Sequence, residues 1–220
     1  MRAGEWGKSF LPAGVPERIP LPEGSLLVDY VAGGGGFGDP IDRDPLAVLK
    51  DFRRGWVGRE IAERIYGVIF SSGGKAVDEP ATESRRQEVR DERKQNSEKL
   101  SAKTVGVSAH AENGWRQLLK FHAALELATD GKRKIVRCSR CGHLFCNANE
   151  NYKLHALHRV IHLSEVMPPL PSGEPYIGEY HIYTCPGCAT QLQVDMFSPT
   201  LGGDAVLWDT RIDAERLKSR

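Results

Sequence analysis

Nowhere in the 220 residues does an apolar run approach the roughly 18 needed to span a bilayer. The first ten residues, Met1 to Phe10, contain no apolar core of the kind a secretory signal requires. Excess charge is also missing. Thirty Lys and Arg against 29 Asp and Glu leave +1, which gives no electrostatic ground for nucleic acid or a membrane as the main partner. There is no internal repeat, no phosphate-binding P-loop, no carboxylate pair and no nucleophile, base and orienter set. The chain reads as soluble and cytoplasmic, as one or two modest domains, and as inactive by itself.

Cysteine is scarce, and its number is odd. Four of the five cysteines fall into two C-x-x-C pairs, Cys138/Cys141 and Cys185/Cys188. An odd count argues against a closed disulfide framework, and in a reducing compartment such pairs are metal ligands. Two intervening residues let one tight turn aim both sulfurs at one ion, and two such turns complete a tetrahedral zinc site. With four protein ligands the site is closed, so its zinc is structural. A redox dithiol would need only one C-x-x-C beside a βαβ pattern, and none is present. Cys146 is a spare thiol read as a small buried apolar residue.

Three composition regimes divide the chain, and the fold class they imply is α+β: an N-terminal small β/helix tail-like segment over 1–95, a charged helical linker over 96–134 and a C-terminal zinc-ribbon β domain over 135–220. Ser25–Ala32 reads as a strand running into the glycines from Gly33 to Gly38. Asp44 and Pro45 open a short helix with Leu46, Leu49 and Phe52 on one face, and Gly55 ends it. Glu60–Ile65 reads as a second helix, and Asp78–Leu100 as a highly charged one with Val89 and Leu100 as its main apolar members. Glu112–Leu127 has an amphipathic helical stripe of Trp115, Leu118, Leu119, His122 and Leu125, closed by Thr129-Asp130-Gly131. Between the cysteine pairs a helix is expected through Val160. Glu174–Tyr183 and Gln191–Met196 then read as strands flanking the second turn.

Other motifs weigh less. Gly33, Gly35 and Gly38 satisfy G-x-G-x-x-G, but Asp39-Pro40 follows where a dinucleotide site needs a helix to open, so a structural glycine turn is the better reading. His155, His158 and His162 share one face if helical and would then offer a second metal site. Lys132, Arg133, Lys134, Arg137 and Arg140 form a basic cluster beside the first cysteine turn, which supports a rival reading as a nucleic-acid-binding zinc ribbon.

Two stretches carry a resemblance. Gly33–Pro40, Arg43-Asp44-Pro45, Tyr66-Gly67-Val68 and Val77-Asp78 resemble the C-terminal end of hydantoinase-B / 5-oxoprolinase-type large subunits, over about residues 11–94; Gly58 departs from the family's Ser or Thr. Cys138-x-x-Cys141-Gly142, Glu150-Asn151-Tyr152-Lys153, Glu179-Tyr180, Tyr183, Cys185-Pro186-Gly187-Cys188 and Gln191-Leu192 resemble the small gamma subunit of acetone carboxylase, over roughly residues 112–210. Together they imply a small zinc subunit of a biotin-independent ketone carboxylase, of acetophenone carboxylase type, joining a ketone and bicarbonate into a β-keto acid. The implied partners are hydantoinase-A-like and hydantoinase-B-like large subunits, which would carry ATP and Mg or Mn. In that assembly residues 1–95 dock on a large subunit. A subunit of a hydantoin or 5-oxoproline hydrolase is the alternative that the first stretch implies.

Overall fold

The computed structural model describes residues 23–24, 36–100, 114–167 and 173–217. The strand expected over Ser25–Ala32 and the glycines from Gly33 to Gly35 lie outside these. Helices and antiparallel sheets combine in an α+β fold, with the cysteine pairs in its C-terminal β region.

Helix α1 (Pro45–Arg53) begins where Asp44 accepts a hydrogen bond from the Leu46 N–H at 2.9 Å, and Gly55 ends it at φ 74°. Its buried face is Val48, Leu49 and Phe52, whereas Leu46, expected on that face, is 63% exposed. At 100° per residue the arc holding 48, 49 and 52 is centred roughly 115° from position 46. Helix α2 (Arg59–Arg64) follows Gly58, and Val68 and Phe70 return beneath both helices to close a small core with Val48, Leu49 and Ala62.

Helix α3 (Glu79–Gln95) is capped by Asp78 and ends at Gln95 rather than at Leu100, with strand β1 (Glu98–Lys99) beyond it. Its buried residues are Thr82 and Arg86 rather than the expected Val89 and Leu100. The helix is fastened through backbone groups. Thr82 Oγ1 accepts from the Ile69 N–H at 3.0 Å, and Arg86 donates to the carbonyls of Tyr66 and Arg43 at 3.2 and 2.6 Å. Gly67, at φ 61°, permits this approach, because a Cβ there would stand 2.9 Å from Arg86 Cγ.

The helix expected over Glu112–Leu127, and with it the helical character of residues 114–134, is replaced by strands β2 (Arg116–Lys120) and β3 (Leu125–Thr129). A register shift between Gln117 and Leu119 marks an irregularity in β2, and Leu118 and Leu119 are both half-buried. Two adjacent apolar residues followed by the His122–Leu125 turn reproduce helical spacing by accident. That turn has no glycine; the His122 side chain accepts from the Ala124 N–H at 3.2 Å. Thr129-Asp130-Gly131 is a hairpin turn into β4 (Lys134–Cys138), which pairs in turn with β5 (Leu144–Asn147). This sheet runs β2–β3–β4–β5.

A second sheet runs β1–β6–β7–β8, with β6 at Leu157–His162, β7 at Glu179–Thr184 and β8 at Gln191–Phe197. The helix expected through Val160 is therefore strand β6, preceded by a 3-10 turn at Tyr152–His155 and followed by the short α4 (Leu163–Val166). Val160 and Ile161, both β-branched, favour the extended pairing with β7. Leu125, Leu127, Val136, Phe145, Tyr152, Tyr183 and Leu192 share one core spanning both sheets. Among the described residues no helix is long and apolar enough to cross a membrane.

Candidate metal centre

The two C-x-x-C turns occupy equivalent places in two hairpins, one between β4 and β5, the other between β7 and β8. Their backbones repeat each other. Cys138 N–H donates to the His143 carbonyl at 2.8 Å, as Cys185 N–H does to Thr190 at 2.9 Å. Gly142 N–H donates to the Cys138 carbonyl at 2.9 Å, as Ala189 N–H does to Cys185 at 2.8 Å. The residue after each second cysteine is left-handed, Gly142 at φ 75° and Ala189 at φ 54°. Ala189 is the one non-glycine with positive φ among the described residues. The Cys141 and His143 N–H groups reach the sulfurs of Cys138 and Cys141.

All four sulfurs lie within 4.8 Å of one another. Cys138 and Cys188 stand 3.8 Å apart, Cys141 and Cys185 3.7 Å. Sulfurs at 2.3 Å from a tetrahedral zinc are separated by about 3.8 Å. The donors and their spacing thus fit zinc. Sequence expectation and structure agree that these four residues converge.

The crowded thiols bind protons unequally. The Cys138 thiol, hydrogen-bonded to Cys141, brings the latter down to about 7 and contributes first to the lowering of Cys188. Cys138 is pushed up chiefly through its bond to Cys141, and Cys185 chiefly through Cys138. A divalent cation held by these four residues would replace the shared protons and draw all four sulfurs to thiolate. Gly187 leaves room for this closeness, since a Cβ on it would meet Cys141 Sγ at 2.8 Å.

Two buried charged groups lie in the motifs quoted above, and the sequence did not announce their partners. The Asp39 carboxylate, fully buried, accepts from Arg93 at 2.6 and 3.0 Å and from the Gln191 N–H at 2.8 Å, and Arg93 also donates to the Ala189 carbonyl at 3.0 Å. Asp39 therefore joins the N-terminal unit and α3 to the second cysteine turn, and Arg140 of the first turn pairs with Asp42 at 2.9 Å. Lys153, from the gamma-like motif, is buried with its ammonium 2.7 Å from Asp195 and 3.2 Å from Asp209.

The basic cluster is largely consumed within the chain. Arg133 pairs with Asp130, Arg137 with Glu126 at 2.5 Å and Arg140 with Asp42, while Lys134 donates to the carbonyls of Ala214 and Leu217. The three histidines do not converge. His155 ends the 3-10 turn, His158 bonds His181 at 3.0 Å, and His162 caps α4 through Ser164. Lying on a strand and its flanks, they lose the shared face that a helix would provide.

Residues 116–220 match the family model described as acetone carboxylase gamma subunit, close to the 112–210 expected. The chain is 37% identical over 96 residues to the acetone carboxylase alpha subunit of Xanthobacter autotrophicus (strain ATCC BAA-1158 / Py2), covering 37% of this chain and 12% of that one. It is 40% identical over 63 residues to the caprolactamase subunit beta of Pseudomonas jessenii, covering 29% of this chain and 11% of that one. The chain thus spans only about an eighth of the first relative's length and less of the second's. By these comparisons the C-terminal region, with all four cysteines of the cluster, is similar to the acetone carboxylase gamma subunit.

Proposed function

We propose that this chain is a non-catalytic zinc subunit of a biotin-independent, ATP-dependent ketone carboxylase of the acetophenone carboxylase type, with Cys138, Cys141, Cys185 and Cys188 as the zinc ligands. The observation that carries this reading is the four-sulfur cluster inside a region matching the acetone carboxylase gamma subunit, in a chain that also resembles an acetone carboxylase alpha subunit. Four thiolates fill a tetrahedral zinc and leave no position for water, so the ion's role is to hold two hairpins together. Its partners are hydantoinase-A-like and hydantoinase-B-like large subunits, and ATP with Mg or Mn belongs to them. The Arg93–Asp39–Gln191 link supports the role, because it passes rigidity from the metal turn to the N-terminal unit.

A second reading, a subunit of a hydantoinase- or 5-oxoprolinase-like hydrolase, draws on the likeness to a caprolactamase subunit beta. One experiment separates the two. The chain is tagged and recovered from its source cells, co-purifying chains are identified, and the recovered complex is assayed for ketone-dependent ATP hydrolysis and for hydrolysis of hydantoin and 5-oxoproline. Two large chains with ketone-dependent ATP turnover are expected. Ring hydrolysis instead would favour the second reading, and recovery of the chain alone or with nucleic acid would remove both.

A further inference from the structure

The histidines that the sequence grouped together are dispersed, but one of them meets other donors. His155 lies beside Cys146 and Glu150, and the ligand atoms of all three stand within 4.8 Å of one another. They come from one continuous segment. Cys146 sits on β5 with its thiol in the core, 1% exposed. The turn after β5 is closed by Glu150 N–H donating to the Asn147 carbonyl at 3.0 Å, and Asn151 then caps the 3-10 turn that ends on His155. The spacing C-x-x-x-E-x-x-x-x-H matches no common metal-binding signature.

The carboxylate carries the observation that points to a ligand. Asn147 Nδ2 donates to Glu150 Oε1 at 2.9 Å and so orients the group. The other oxygen, Oε2, is buried and receives no hydrogen bond. His155 Nε2 stands 3.6 Å from it, too far for a hydrogen bond. A buried carboxylate oxygen without a donor is costly, and a cation satisfies it. Ligand atoms about 2.1 Å from a tetrahedral ion stand about 3.4 Å apart, so the Glu150–His155 separation already suits such an ion. Asn147 holds the carboxylate from behind, as outer partners of metal-ligating groups do.

We propose that Cys146, Glu150 and His155 form a second metal site, separate from the four-cysteine centre, for zinc or a similar borderline divalent cation. One thiolate, one imidazole and one carboxylate suit such an ion better than calcium or magnesium, which take oxygen ligands. Three protein ligands leave the fourth position to water. The Glu150 side chain is 38% exposed, so the site opens to solvent on that side.

The test uses the full chain, stripped of metal and titrated with cobalt(II) alone. Two equivalents are expected for the unaltered chain, and one for His155→Ala and for Glu150→Gln, with the four-thiolate absorption retained in both. One equivalent at saturation in the unaltered chain overturns the proposal, as do two equivalents in a His155→Ala/Glu150→Gln double variant. Zinc-edge X-ray absorption on the unaltered, zinc-saturated chain depends on no variant's folding. A four-sulfur and a one-sulfur site together average about 2.5 sulfurs per zinc. A value of four would overturn the second site.

Discussion

At the residue scale, the metal turns depend on two backbone positions that differ in how openly the sequence declares them. Gly142, left-handed after Cys141, is the residue that position favours, and glycine made it visible. Ala189, its counterpart after Cys188, adopts φ 54° despite its Cβ, and no local rule announces that. Gly187 is a different case, since it is required by contact rather than by φ. Its missing Cβ makes room for Cys141 Sγ, and a sulfur bound to an ion cannot retreat. Gly187→Ala is therefore expected to weaken zinc binding by about 10- to 100-fold, the range typical of disturbed outer contacts around a metal, with the fold otherwise kept. Competition with a chromophoric chelator measures this. Unchanged affinity would show that the turn can widen at no cost.

At the element scale, caps and turns were the legible features. Asp44-Pro45 opened α1, Gly55 closed it, Asp78 began α3, and β8 fell where alternation placed it, whereas β7 begins at Glu179 rather than at the expected Glu174. The failures share a physical cause, which is that tertiary pairing overrode local spacing. The irregular β2 imitated a helical stripe, and β6 gained its form from β7 rather than from its own residues. Between β6 and β7 lies a chain of hydrogen bonds. Glu179 Oε1 accepts from His181 Nε2 at 2.8 Å, which leaves His181 Nδ1 to accept from His158 Nε2 at 3.0 Å. Burial first, then His181, lowers the pKa of His158 below its ordinary value. The unfolded chain thus binds the proton more readily near pH 6.5. The contribution to stability is full above that pH and is lost as pH falls through the lowered folded value. Denaturant midpoints between pH 7.5 and 5.5 should decline, and His158→Gln should flatten the decline. An equally steep decline in the variant would assign the effect to other groups.

At the scale of the whole molecule, the four-cysteine centre was legible and its surroundings were not. Four cysteines at fixed spacing declare a metal site from sequence, whereas a buried aspartate declares its partner only when the fold brings it there. Asp39 accepts from Arg93 and Gln191, which are 54 and 152 positions away along the chain. Asp39→Ala leaves Arg93, whose side chain is 17% exposed, facing the second metal turn without its counter-charge. Breaking a buried pair by removing one partner costs about 3–5 kcal/mol. The variant is expected to keep its zinc while residues 36–95 lose protection from hydrogen exchange. Loss of zinc in the same variant would mean that the N-terminal unit holds the metal turn in place rather than the reverse.

The distance from Asp39 to Gln191 also has a consequence in time. A ribosome adding roughly 5–20 residues per second needs about 8–30 s to cover the 152 positions between them. Throughout that interval the carboxylate waits in the nascent chain without its last donor. The unit around α1 and α2 is thus synthesised well before the residue that locks it, and its final closure follows the emergence of the second cysteine pair.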